Sequence, residues 1–94
     1  MHQSGDNIFY HPHVVKKDIP KLDASTKKAL RRAIEAKLAT RPELYGLPLR
    51  ATLKKYWKLR VGDYRIVYGI KNNKVYILII AHRKDVYTMA EMRK

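Results

Sequence analysis

The stretch Lys58 to Tyr68, KLRVGDYRIVY, carries three cations, Lys58, Arg60 and Arg65, around the dipeptide Gly62-Asp63. A two-residue turn at Gly62-Asp63 sets Arg60 directly opposite Arg65 in an antiparallel pair. Like charges placed this way repel each other, so the arrangement costs stability unless an anion comes between them. A guanidinium fork matches two phosphate oxygens at once, which the point charge of a lysine cannot do. Lys58, Arg60 and Arg65 together therefore predict a phosphate site, although any one of them alone reads as a residue that keeps a strand soluble and unpaired. His11 and His13 flank Pro12 with no carboxylate or thiolate beside them, and a metal site is not expected there.

The elements that must hold these residues follow from apolar spacing. Leu53 to Val61, Tyr64 to Ile70 and Lys74 to Ala81 read as three strands joined at Gly62-Asp63 and Asn72-Asn73. Register pairs Arg60 with Arg65, Leu59 with Ile66 and Trp57 with Tyr68. One face then carries Trp57, Leu59, Val61, Tyr64, Ile66 and Tyr68, and by the same counting Ile77 and Ile79. The other carries Tyr56, Lys58, Arg60, Arg65 and Val67, with Leu78, Ile80 and His82 from the last strand. Upstream, Ile8 to Tyr10 is a short strand candidate, and Val14, Val15, Ile19 and Leu22 recur at helical intervals despite Pro20. A clearer helix is capped by Asp23 or Ser25 and stopped by Pro42, with the stripe Leu30, Ala33, Ile34 and Leu38 turned to the core face. RPELYGLPLRAT is a loop, and KDVYTMAEMRK a short helix or an extended tail.

The chain has 94 residues, 21 of them Lys or Arg against 8 Asp or Glu, for a formal charge of +13. One domain is expected, spanning residues 1–94, with residues 1–7 a disordered or tag-derived tail. So basic a chain points to a polyanionic partner, a nucleic acid or an acidic protein. With no cysteine there is no disulfide framework and no thiolate zinc site, and no apolar run nears the ~20 residues a membrane span needs, so a cytoplasmic protein is expected.

YWKLRVGDYRIVY followed by VYILIIAHRKDVY resembles the RelE/ParE superfamily of bacterial toxins, the small basic halves of type II toxin-antitoxin pairs. The likeness is strongest from Leu49 to Tyr87, and the earlier strand, the helices and the GLPLR loop follow the family order. It implies an α+β, RelE-like fold: a twisted, mainly antiparallel sheet of about four strands, two N-terminal helices on one face, a working surface on the other, and a short C-terminal helix or tail. RelE-like members are ribosome-dependent endoribonucleases that cut mRNA in the decoding site, while ParE-like members poison DNA gyrase. The resemblance places the RelE functional positions at Lys58, Arg65, Arg83 and Tyr87. It departs at Tyr56, which stands where the pattern has a lysine although Lys54 and Lys55 are close, and in the short spacing from Arg83 to Tyr87. His82 is similar to a histidine that other members use beside the terminal tyrosine.

Metal-free RNA cleavage needs the 2′-hydroxyl deprotonated, the phosphorane stabilised and the departing 5′-oxygen protonated. Arg65 and Lys58 suit stabilisation, as does Arg83, whose guanidinium is too weak an acid to give up a proton. Either His82 or Tyr87 moves the proton: an imidazole titrates near ~6.5 and serves in both directions, whereas a phenol near ~10 needs neighbouring cations. Tyr56 can stack on a splayed base, and Lys54, Lys55, Arg60, Lys84, Arg93 and Lys94 add salt-dependent phosphate contacts. No cofactor is expected. The partners implied by the resemblance are an acidic cognate antitoxin, mRNA and the ribosome at its 16S rRNA decoding site, and operator DNA reached through the antitoxin. The alternatives are a non-enzymatic gyrase inhibitor of ParE type and an inactive homologue that binds only antitoxin or operator.

Overall fold

The computed structural model describes the backbone of residues 2–4 and, in full, residues 7–94. Six strands form one sheet in the order β1-β2-β6-β5-β4-β3, where β1 is His2–Ser4, β2 Ile8–Tyr10, β3 Leu47–Pro48, β4 Tyr56–Val61, β5 Tyr64–Lys71 and β6 Lys74–His82. Every pairing is antiparallel except that of β2 with β6. The α+β class is as the sequence predicts, but two strands are added to the expected four. β3 lies in the segment read as loop, and β1 in the one read as an irregular tail, of which residues 1, 5 and 6 are outside the described residues. Both are edge strands defined by backbone pairing, which a polar or proline-bearing segment can make without any apolar alternation.

The two central hairpins follow from their turn residues. Gly62 has φ +59° at the first central position, as a type II′ turn requires, while Asn72 and Asn73 are both left-handed, at +53° and +62°, as type I′ requires. Arg60 pairs with Arg65, Leu59 with Ile66 and Trp57 with Tyr68, the predicted register. In the second hairpin Tyr68 pairs with Ile77, but Val67 then pairs with Ile79, because Leu78 is the extra residue of a β-bulge. Beyond the bulge every side chain of β6 changes face. Ile80 therefore packs in the helix-side core and Ile79 in the opposite cluster, the reverse of the unbulged expectation.

The helix layer begins with Val14–Asp18 as a π-helical turn and Ile19–Lys21 as a 3₁₀ turn, short of the regular helix the spacing predicts. Pro20 has no N–H to give to a preceding carbonyl, which breaks the regular ladder there. Asp23 caps α1 (Ala24–Ala33), its Oδ1 accepting from the Thr26 N–H at 2.7 Å, and the helix runs on through a π turn, Ile34–Leu38. Leu30, Ile34 and Leu38 are buried against Leu59, Ile66, Tyr68, Val75, Ile77 and Ile80. A short helix α2 (Pro42–Tyr45) precedes β3. The last segment is helical, α3 (Val86–Arg93), and lies on the opposite face, where Val86 and Ala90 are buried with Leu53, Val67, Leu78, Ile79 and Ala81. No helix among the described residues is long and apolar enough to cross a membrane.

Candidate functional site

β4 and β5 present Lys58, Arg60 and Arg65 on the face that also carries Val67, with Arg60 and Arg65 directly opposed. α3 crosses that face, and Tyr87, next to the buried Val86, meets β4: the Lys58 Nζ donates to the Tyr87 Oη at 2.5 Å. The ammonium is 5.3 Å from the centre of the Tyr87 ring. Together with the short contact to the hydroxyl, that distance puts it off the hydroxyl end of the ring rather than over its face. Lys58 and Tyr87 both line a groove of about 650 Å³ with Leu47, Leu49, Arg50 and Leu53. Two residues 29 positions apart thus form one exposed cation–phenol pair beside an arginine cluster.

Arg65 is braced from behind. Its Nη1 donates to the carbonyls of Gly62 and Tyr64, each at 2.9 Å, which leaves the Nε and Nη2 hydrogens for an anion. Arg83 lies at the same turn: its backbone N–H donates to the Asp63 carbonyl at 2.8 Å, and its Nε is 3.9 Å from Asp63 Oδ1, both side chains exposed. That exposed ion pair is weak, so Arg83 is free to exchange Asp63 for a stronger anion.

Four expectations change. His82 stands opposite Tyr64 on the helix-bearing face, its ring edge-on to Tyr64 at 5.7 Å, and its Nδ1 accepts from the Lys84 N–H at 3.2 Å. The Leu78 bulge turned it there, so it does not join Lys58 and Tyr87. Tyr56 pairs with Gly69 and its ring covers the space where a Gly69 side chain would stand, 3.7 Å from that position, so packing occupies a ring expected to stack on a base. Lys54, Lys55 and Lys84 are exposed as expected. Arg93, read as a surface phosphate contact, is buried: its Nη1 and Nη2 donate to Asp18 Oδ2 and Oδ1 at 2.5 and 3.1 Å, with the two side chains 9% and 1% exposed. Lys94 is tied to Glu91 at 3.1 Å, and Glu91 accepts from the Thr52 hydroxyl, which together with Lys94 holds its carboxyl below the usual carboxylate range.

The sequence analysis passed over Asp18, and read Gly46 only as part of a loop. Asp18 falls at the same four-residue spacing as Val14 and Leu22, and an acid on an apolar helical stripe asks for a partner. Gly46 supports the site from below: a side-chain carbon there would stand 1.7 Å from Tyr68 Oη and 3.2 Å from the Lys58 carbonyl oxygen. The Tyr68 hydroxyl donates to the Pro42 carbonyl at 2.7 Å, and burial, then the Glu43 charge, push it up to about 12.

A mainly antiparallel sheet with α1 on one face, and on the other α3 with a cation–phenol pair beside a braced arginine at a GDYR turn, is the arrangement of a toxin-type fold. The family described as "ParE toxin of type II toxin-antitoxin system, parDE" matches residues 10–87. The chain is 33% identical over 93 residues to Toxin RelE of Mycobacterium tuberculosis, covering 94% of this chain and 96% of that protein. Among solved structures it resembles the toxin-antitoxin complex RelBE2 of M. tuberculosis, with a TM-score of 0.75 and 28% identity over 84% of this chain and 92% of the other. The RelB-RelE complex of Methanococcus jannaschii, with a TM-score of 0.67 and 20% identity over 86% and 96% of the two chains, shares the fold. The chain belongs to the ParE/RelE family of toxins of type II toxin-antitoxin systems, and is RelE-like within it.

Proposed function

We propose that the chain is an mRNA endoribonuclease that works on the ribosome, and that the Lys58–Tyr87 pair beside Arg65 is its catalytic centre. The contact that supports this reading is the 2.5 Å approach of the Lys58 ammonium to the Tyr87 oxygen, on the face where Arg60 and Arg65 converge. In the proposed reaction the Tyr87 phenolate, paired with the Lys58 ammonium, takes the proton of a 2′-hydroxyl and becomes the phenol. The 2′-oxygen bonds to phosphorus, the bond to the 5′-oxygen breaks, and the departing oxygen takes up a proton from the Lys58 ammonium or from water. The products are a 2′,3′-cyclic phosphate and a 5′-hydroxyl. Arg65 and Arg83 stabilise the phosphorane. The site is shallow and exposed, so a ribosome that holds the message in place would supply the orientation that the protein does not.

The relatives crystallised as toxin-antitoxin complexes support a cognate antitoxin as partner, and the +13 charge favours an acidic one. Purified protein should cut mRNA on programmed ribosomes, and Arg65→Ala should abolish the cut. Normal cleavage by that variant would sink the assignment. The matching family is named for ParE toxins, which favours gyrase inhibition as the second reading. Loss of supercoiling activity with translation untouched would decide for it.

A further inference from the structure

We infer that the buried Asp18–Arg93 ion pair is the positioning device for Tyr87: it fixes α3 on the sheet so that the Tyr87 hydroxyl stays against Lys58. α3 has eight residues, too few to be a stable helix on its own. Its buried stripe is Val86, Ala90 and Arg93, spaced by four and three, with the half-buried Met89 packed beside it. Val86 and Ala90 are fully buried but small, Met89 is flexible and only half-buried, and apolar contact is non-directional, so these contacts alone leave the helix free to tilt or roll. Tyr87, one residue on from Val86, is displaced by any roll.

Arg93 supplies the direction. Its guanidinium grips the Asp18 carboxylate with two nitrogens and also donates to the Leu78 carbonyl at 3.2 Å, while Asp18 Oδ2 accepts from the Ile80 N–H at 3.0 Å. The last turn of α3 is thereby tied to the bulged residue Leu78, to Ile80 beyond it and to the first helical turn of the chain. Glu91 also accepts from the Thr52 hydroxyl and pairs with Lys94, but both contacts are exposed and fix little.

A buried pair can also be a structural ornament that apolar groups replace without loss, and the test must separate the two cases. The double variant Asp18→Asn, Arg93→Met leaves no orphan charge, keeps an oxygen for the Ile80 N–H and keeps a long side chain in the stripe. Its melting temperature should stay near that of the wild type. Amide exchange across residues 86–93 should quicken by ~10-fold or more with β4 to β6 unchanged. Single-turnover cleavage at saturating ribosomes should fall ~10-fold or more, with the half-saturating ribosome concentration within about 2-fold, because the exposed lysines still dock the protein. Arg93→Lys, which keeps the charge but not the fork, should fall between. Wild-type exchange in α3 of the double variant, or a slower cut with unaltered exchange, would overturn the inference. The cleavage measurement rests on the function proposed above; should wild-type protein leave ribosome-bound mRNA intact, that reading has failed, and the exchange comparison alone decides the positioning role.

Discussion

Gly46→Ala tests how the loop before β3 is seated beneath the site. Gly46 has φ −96° and ψ 163°, a conformation open to any residue, so no backbone strain enters and the cost is steric. The added methyl would stand 1.7 Å from Tyr68 Oη, 2.7 Å from its Cζ and 3.2 Å from the Lys58 carbonyl. Tyr68 is fully buried and cannot swing aside, so the loop must lift. Lifting breaks the bond to the Pro42 carbonyl, about 1 kcal/mol, and overpacking adds about 1–3 kcal/mol. The sum, about 2–4 kcal/mol, lowers the melting temperature of a domain this size by at least about 8 °C. Tyr68→Phe alone should cost about 1 kcal/mol, for the same bond. The double variant should cost less than the two added together, because the bond is lost only once and the hydroxyl clash is gone. Thermal or urea unfolding of the three proteins measures this cycle. An alanine at 46 that costs nothing, or strict additivity, would refute the placement of the loop against Tyr68.

Two further outcomes follow from single residues. Tyr68 titrates at about 12 in the fold against 10.0 ordinarily, so the fold holds that proton more tightly than the unfolded chain does. The stability this gives is complete below pH 10 and is lost as pH rises to about 12; in Tyr68→Phe the alkaline fall in urea midpoint should be shallower over that window, and an identical fall would count against the burial of the hydroxyl. Ala51 opens its 3₁₀ turn with φ +53°, which disfavours an L residue by about 1–2 kcal/mol, so Ala51→Gly should raise stability by about 0.5–1 kcal/mol after the greater entropy of an unfolded glycine is subtracted.

The sequence was most informative where turn chemistry acts over a few residues. Gly62 and the Asn72-Asn73 pair specify two-residue turns, and those turns dictate register, so the opposition of Arg60 and Arg65 was legible before any coordinates. The stripe Leu30, Ile34 and Leu38 was equally plain. β6 was not. VYILIIAH is apolar almost throughout, so alternation gives no hint of the extra residue at Leu78, and the faces of Ile79, Ile80 and His82 were inverted beyond it. The contact of Lys58 with Tyr87 reflects a docking of α3 that no local pattern encodes. Arg93 misled because a lone arginine near the end of a basic chain resembles the many exposed ones. Only its seven-residue offset from Val86 set it on the buried stripe.

The ion pair at Asp18 also bears on the order in which the chain folds. Its partners are 75 positions apart, and β2 reaches β6 across nearly as long a span, in the one parallel pairing of the sheet. The β4-β5-β6 meander closes through two-residue turns, on the scale of microseconds. Contacts of long separation bear a greater loop-closure entropy and come after it. The hairpin arginines are therefore expected to align early in folding, and the Asp18–Arg93 tie, whose partners come from the two distant ends of the chain, is expected to close late. Interactions made so late govern the rate of unfolding more than that of folding.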